Sequence, residues 1–216
     1  MTQGQIVRRV VKPVVFLVSL IPATLLAHDI GWGGLGANPV EEITHRTGFW
    51  GLTFLMITLS VTPLQRVSGI AALSTMRRPL GLFAFFYVVL HFTMYAVDQT
   101  YLSGLGLSPS AIVEDVTKRP YITVGFTALL MLIPLALTST KGWIKRLGSK
   151  RWRLLHQLIY VVAALGVFHF LWLVKADTRE PVIFGSVLVV LLALRLLVKR
   201  VRNRRNLAPT ALEQPS

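Results

Sequence analysis

Six long apolar segments, separated by short polar stretches, dominate the hydrophobic pattern of this chain. They cover approximately residues 10–28, 43–62, 80–98, 121–138, 154–174 and 181–200. A helix needs about 20 mostly apolar residues to cross a bilayer core of about 30 Å, and each segment is close to that length. The pattern therefore predicts an all-α membrane protein with six transmembrane helices. Residues 1–201 are expected to form this single domain, and the polar residues 202–216 a disordered cytoplasmic tail.

Basic and acidic residues alternate between the two sides of the predicted bundle. The N-terminus, the second and fourth connections and the C-terminal end carry 18 of the 23 Lys and Arg residues and one acid, Glu213. Cytoplasmic segments of membrane proteins are enriched in Lys and Arg, so this alternation predicts that both termini are cytoplasmic. It explains the net charge of +14 without nucleic-acid binding. Some of these basic residues are expected to contact anionic membrane lipid.

The first apolar segment has a second interpretation. Arg8 and Arg9 precede it, as basic residues precede the apolar part of an export signal. Leu25 is unsuitable for the small-residue cleavage site that would end at Ala27. The sequence therefore favours a retained first helix.

The composition restricts the possible chemistry. Hydrophobic residues make up 53% of the chain, charged residues 15%, and the mean hydropathy is +0.61. These values exclude an ordinary cytosolic enzyme. The chain has no cysteine, which excludes disulfides, thiol catalysis and cysteine-ligated iron–sulfur clusters. Redox chemistry would therefore need histidine, a bound organic cofactor, or both.

Histidines are the main candidates for chemistry within the membrane. His91 lies in the third predicted span, and His156 and His169 lie in the fifth. With a rise of about 1.5 Å per residue, His91 and His169 lie roughly 3 Å and 7.5 Å past the midpoints of their spans. They can therefore reach one level and bind haem iron axially, as the outer-side pair. The alternative is that each histidine is only hydrogen-bonded to a neighbouring helix.

His156 suggests a second level, near the cytoplasmic face. It precedes His169 by 13 residues, about 20 Å along a helix, although the two side chains would point about 140° apart. The matching start of span three has no histidine. The second level could therefore hold a haem with an unusual ligand, or a flavin. The basic residues that could bind a flavin phosphate, or that only fix the topology, are Arg77, Arg78, Lys150 and Arg151.

Two further histidines, His28 and His45, lie at the ends of the first two predicted spans. Asp29, Glu41 and Glu42 are close to them in sequence. A metal site is one interpretation of this group, and interface or docking contacts are the other. Arg195, in the last turns of the sixth span, is expected to extend towards the cytoplasmic surface.

Several segments together resemble the MsrQ (YedZ) family, and the resemblance covers nearly the whole chain in order. The segments are Gly33-Gly34-Leu35-Gly36-Ala37-Asn38-Pro39, Arg77-Arg78-Pro79-Leu80-Gly81-Leu82, Leu90-His91-Phe92-Thr93-Met94-Tyr95, Lys118-Arg119-Pro120-Tyr121, Leu155-His156-Gln157 and Phe168-His169-Phe170-Leu171-Trp172. This family is part of the ferric-reductase-like transmembrane group.

The resemblance implies a b-type haem protein of the bacterial inner membrane, with one or possibly two haems and possibly FMN. It implies that His91, His156 and His169 are the haem ligands. Relatives in the wider group have a histidine pair on span three, whereas this chain has only His91 and an arginine at the earlier position. The implied electron donor is the quinone pool or a cytoplasmic flavin reductase. The implied acceptor is a periplasmic molybdopterin-containing methionine sulfoxide reductase subunit, which repairs oxidised envelope proteins.

The expected function is therefore electron relay across the membrane, with substrate reduction on the partner. The outer connections are too short to form a catalytic domain, and their acidic residues, such as Glu41, Glu42, Glu114 and Asp115, could dock the partner. One alternative is a self-contained ferric or other metal reductase. The other is a non-redox membrane protein, such as a small transporter or assembly factor.

Overall fold

The computed structural model describes residues 2–99, 104 and 108–207 of the chain. These residues form helices and connections, without a β-strand in the described ranges. The helices are α1 (Gln3–Trp32, with a π-helical turn at Val7–Val11), α2 (Pro39–Ser68), α3 (Arg77–Val97, preceded by the 3-10 helix Ala71–Met76), α4 (Pro109–Lys118), α5 (Pro120–Leu137), α6 (Lys141–Leu155), α7 (Leu158–Leu173) and α8 (Arg179–Leu207).

The membrane-spanning architecture predicted from the hydrophobic pattern is confirmed. Five helical segments are long and apolar enough to cross a membrane, and α6 with α7 forms a sixth span if this pair, bent by 42°, is counted as one. The helices extend past several predicted ends, because polar residues continue the backbone hydrogen bonding outside the apolar core. Helix α8 continues to Leu207, into the segment predicted as a disordered tail. Residues 208–216 of that tail lie outside the described residues.

Two helices, α4 and α6, lie in stretches that the hydrophobic pattern assigned to connections. Both are amphipathic, so a search for continuous apolar runs misses them. Helix α4 begins at the pair Ser108-Pro109, a typical helix start, and α6 begins after the N-cap Thr140, whose side chain accepts a hydrogen bond from the Trp143 amide. Helix α6 carries six Lys and Arg residues and no acid.

Helix α2 forms the centre of the bundle. Its buried side chains include Leu52, Phe54, Leu55 and Leu59, and α3, α7 and α8 pack around it. Helix α1 lies at the edge, and apolar side chains such as Leu17 are exposed along its length. In a bilayer such surfaces contact lipid chains rather than water, which explains their composition.

Tyr87 of α3 joins α1 to this core. Its hydroxyl donates to the Ser19 carbonyl (2.8 Å) and accepts from the Ala23 amide (3.1 Å), two groups that pair with each other in a regular helix. Pro22 lies between them in α1 and removes one backbone donor. Tyr87 is only 1% exposed, so this inserted hydroxyl is the local partner of both backbone groups.

Replacing Tyr87 with Phe is expected to weaken the attachment of α1. The change leaves two buried backbone groups without their partner, which costs about 1–3 kcal/mol of unfolding free energy. Thermal or SDS-induced unfolding of the protein in detergent would measure this loss. Tyr160→Phe is the control, because the ring of Tyr160, rather than its hydroxyl, contacts Arg195. Equal stability of Tyr87→Phe and the control would contradict this role.

Candidate functional site

Helices α2, α3, α5 and α7 enclose an elongated cavity of about 280 Å³, called here the histidine-pair cavity. Its walls are mainly apolar, and His91 from α3 and His169 from α7 both line it. The two imidazole centroids are 6.1 Å apart, and the ring planes are inclined by 78°. The fold therefore brings together two of the three histidines that the sequence indicated.

Both imidazoles are held in the same way. The Nδ1 of His91 donates to the Thr44 carbonyl (2.8 Å), and the Nδ1 of His169 donates to the Tyr121 carbonyl (2.7 Å). A backbone carbonyl accepts but cannot donate, so each Nδ1 carries the proton and each Nε2 keeps a free lone pair. This is the tautomer that a metal-binding imidazole needs, with the second nitrogen fixing the ring orientation.

A glycine follows each of these carbonyl residues by four positions, one helical turn later. A Cβ atom at Gly48 would lie 2.9 Å from the His91 Nδ1, and one at Gly125 would lie 2.9 Å from the Cε1 and Nδ1 of His169. Each imidazole therefore packs directly against helix backbone. The sequence analysis did not identify these glycines, because only the three-dimensional structure places them beside the histidines.

The separation of the rings fits one metal ion bound by both Nε2 atoms. Across such an ion, the distance between ring centroids would be two metal–nitrogen bonds of about 2 Å each plus the distance from each centroid to its Nε2 atom. This sum is close to the observed centroid distance of 6.1 Å. The described residues contain no group of three or more His, Cys, Asp or Glu side chains that could hold a metal ion. A metal between His91 and His169 would therefore need most of its ligands from a cofactor. Haem would supply these ligands, and His91 and His169 would hold its iron.

A second cavity, of about 420 Å³, lies at the other end of α3 and α7 and is called here the arginine cavity. No Asp or Glu is among the described residues that line it. Arg195 lies over the Tyr160 ring, with its Cζ 4.7 Å from the centroid, and an Arg77 Nη atom donates to Gln65. The cationic side chains that line the cavity are Arg77, Arg78, Arg153 and Arg195.

This set differs from the basic residues suggested by the sequence. Arg77 and Arg78 line the arginine cavity, as their place at the start of the third span suggested, whereas Lys150 and Arg151 are not among its lining residues. Arg153 and Arg195 line it instead. Arg195 therefore faces a cavity between helices, and its contact with the Tyr160 ring holds it there.

His156 lines the arginine cavity without a second histidine among its described lining residues. Its Nε2 lies 3.1 Å from the Thr138 Oγ1, and its ring stacks on Trp152 at a centroid distance of 3.9 Å. The Trp152 indole in turn donates to the Thr138 carbonyl. The surroundings of His156 thus differ from those of the other two histidines, because its Nε2 already has a polar neighbour.

Leu132 of α5 separates the two cavities. It is 3% exposed and lines both of them. The Leu132 side chain would therefore lie between a cofactor in one cavity and a ligand in the other.

His28 and His45 do not form a common site. His28 stacks on Trp32 at a centroid distance of 4.9 Å, whereas the Nε2 of His45 lies 3.7 Å from a Glu180 carboxylate oxygen. His45 also lines the histidine-pair cavity, and its side chain is half exposed at the surface. Of the two interpretations of this pair, the structure favours separate interface contacts over a shared metal site.

Acidic residues near the histidine-pair cavity are engaged within the protein. Asp29 and Glu42 pair with Arg46, and Glu114 pairs with Lys118. Asp115 accepts a hydrogen bond from the Tyr95 hydroxyl (2.6 Å) and pairs with the Arg119 Nε (2.9 Å); these three were not recognised as a group from the sequence. Tyr95 and Arg119 line the cavity. These contacts leave fewer carboxylates free for docking than the sequence suggested.

Comparison with known proteins identifies the same scaffold. The family profile described as "Ferric reductase like transmembrane component" matches residues 47–167, which include His91, His156 and both cavity glycines.

Three of the similar proteins carry the name "Protein-methionine-sulfoxide reductase heme-binding subunit MsrQ". The one from Herminiimonas arsenicoxydans is 46% identical over 91% of this chain and 88% of its own length. The one from Xanthomonas oryzae pv. oryzae (strain MAFF 311018) is 46% identical over 94% of both chains. The one from Rhodospirillum rubrum is 46% identical over 95% of this chain and 98% of its own.

The matches to these relatives span 91% to 95% of this chain. With its membrane-spanning helices and these relatives, the chain is a multi-pass bacterial membrane protein. It belongs to the ferric-reductase-like transmembrane family and, within that family, to the MsrQ haem-binding subunits.

Proposed function

We propose that this protein is a b-type cytochrome that relays electrons across the inner membrane to a periplasmic methionine sulfoxide reductase subunit. The observation that carries the proposal is the His91–His169 pair, with both Nδ1 protons bound to backbone carbonyls and both Nε2 atoms available in an apolar cavity. Bound haem would supply reversible one-electron chemistry. His91 and His169 would hold its iron, Thr44 and Tyr121 fix their rings, and the apolar walls would exclude water.

The proposed orientation places both termini in the cytoplasm. The arginine cavity and the basic helix α6 then lie on the cytoplasmic side, where the positive-inside rule favours them. The histidine-pair cavity, with Asp115, Glu180 and Arg119 near it, lies on the periplasmic side. Electrons would enter at the arginine cavity and leave near His91 and His169. The exposed basic face of α6 would contact anionic lipid.

The arginine cavity is the proposed entry site. Its four guanidinium groups suit the phosphate of FMN, which would accept electrons from the quinone pool or a cytoplasmic flavin reductase. A second bis-histidine haem fits this cavity less well, because His156 has no histidine opposite it among the described lining residues. We therefore propose one haem at His91 and His169, with His156 as part of the entry site.

The partner would hold the molybdopterin cofactor and carry out the reduction of methionine sulfoxide in oxidised envelope proteins. In this proposal the present chain transfers electrons, and the partner supplies the catalytic groups. A metal-reductase function would instead predict reduction of ferric complexes by the purified protein alone. An assay with and without the periplasmic subunit distinguishes the two functions.

A dithionite-minus-oxidised visible spectrum with pyridine haemochrome quantitation tests the haem site. We expect a b-type spectrum with one haem per chain in the wild type and in His156→Ala. His91→Ala and His169→Ala should lose it, because each removes an axial ligand. His28→Ala, whose imidazole is stacked on Trp32 away from the cavity, is the control. A colourless wild-type protein from haem-replete cells would reject the relay function and favour the non-redox alternative.

The two cavity glycines provide an independent prediction. Gly48→Ala and Gly125→Ala should reduce the haem content or alter the low-spin spectrum, because a Cβ atom at 2.9 Å displaces the imidazole. Gly185→Ala is the matched control, since its Cβ would meet the Val167 Cγ1 at an ordinary 3.5 Å and it is not among the described residues that line either cavity. Spectra of the three purified variants at equal protein concentration measure the difference. Normal haem binding in both cavity variants would show that the backbone approach is not required.

A further inference from the structure

Asp115 connects the two segments that hold the histidine pair. Through the Tyr95 hydroxyl it reaches α3, on which Tyr95 lies one helical turn beyond His91. Through Arg119 it reaches the start of α5, two residues before the Tyr121 carbonyl that holds His169. A single carboxylate on the short helix α4 therefore contacts α3, which carries His91, and the start of α5, which holds the His169 ring.

The Asp115–Arg119 pair is also the charged pair beside the cavity. Arg119 lines the histidine-pair cavity, and no other Lys or Arg is among its described lining residues. The Asp115 side chain is 14% exposed and the Arg119 side chain 47%. The Asp115 carboxylate is mostly buried and is therefore screened less by water and salt than an exposed carboxylate, whereas the Arg119 guanidinium is about half exposed but lines the cavity itself.

We propose that Asp115 and Arg119 are positioning residues that set the reduction potential of the haem bound by His91 and His169. The positive guanidinium stabilises the reduced haem, which carries one more electron, and the carboxylate opposes it. Asp115 also connects α3, which carries His91, with the start of α5, whose Tyr121 carbonyl holds the His169 ring. The proposal rests on the proposed function, because it requires a haem in the histidine-pair cavity.

The same helix offers a matched control pair one position earlier. Glu114 and Lys118 have the same i, i+4 spacing as Asp115 and Arg119, but their side chains are 63% and 70% exposed. The hydrogen bond from Lys118 lowers the pKa of the Glu114 carboxyl and raises the pKa of the Lys118 ammonium. Both groups are therefore charged at neutral pH. Neutralising Glu114 or Lys118 therefore changes the net charge by the same amount as neutralising Asp115 or Arg119. Neither residue of the control pair is among the described residues that line the cavity.

Potentiometric titration of the purified full-length protein, followed by the haem spectrum, tests the proposal. At the wild-type midpoint potential, Asp115→Asn should raise the reduced-to-oxidised ratio, and Arg119→Gln should lower it. At an effective dielectric constant of about 20, a unit charge within roughly 10–15 Å of a redox centre changes such a ratio on the order of tenfold. For a one-electron couple a tenfold change equals about 59 mV.

The pattern of signs separates an electrostatic role from a purely structural one. The double variant Asp115→Asn/Arg119→Gln should return close to the wild-type ratio, and Arg119→Lys, which keeps the charge, should change it little. Glu114→Gln and Lys118→Gln should leave it unchanged. Unaltered low-spin spectra would show that both histidines remain bound.

Shifts of the same sign in Asp115→Asn and Arg119→Gln, or equal shifts in the Glu114 and Lys118 variants, would overturn the proposal. Absence of haem from the wild type would instead reject the proposed function. If Asp115→Asn fails to fold, Arg119→Gln against Arg119→Lys still decides, because the two variants differ in charge at the same position.

Discussion

The structure depends on how a protonated ring nitrogen is accommodated in an apolar helix bundle. An imidazole N–H buried without an acceptor would be costly, since neither lipid nor an apolar wall can accept its hydrogen bond. Here the acceptor is a carbonyl near the start of a helix, Thr44 in α2 and Tyr121 in α5. A glycine one turn later allows the ring to approach it. The same arrangement occurs twice, and it leaves both Nε2 atoms facing one cavity.

The spans and their order could be predicted from the sequence, because the cost of exposing backbone and charge to lipid requires long apolar segments. The shared level of His91 and His169 also followed from helix rise alone. Helices α4 and α6 could not be found in this way, since their apolar residues recur at helical spacing within a polar stretch. Nor could Gly48 and Gly125 be distinguished from other glycines, because their role exists only relative to a histidine on another helix.

The charged residues show a similar limit. Sequence position grouped Lys150 and Arg151 with Arg77 and Arg78. In the structure, Arg77 and Arg78 do line the arginine cavity, but their basic neighbours there are Arg153 and Arg195. Asp115 was recognised only as one of several acids in an outer connection. Its contacts with Tyr95 and Arg119 depend on how α4 packs against α3 and α5, which is a property of tertiary structure. Charge counts thus indicate which side a segment faces, whereas individual partners follow from the fold.

The charged residues at the two ends of the bundle differ in their partners, and the proposed direction of electron flow is based on this difference. Near the histidine pair, Asp29, Glu114 and Asp115 each have a basic partner. In the arginine cavity four guanidinium groups share a space whose described walls contain no carboxylate. An anionic ligand would relieve their mutual repulsion, and the proposed phosphate-bearing donor is assigned to that end for this reason. Leu132 then forms a thin hydrocarbon boundary between this donor site and the histidine pair.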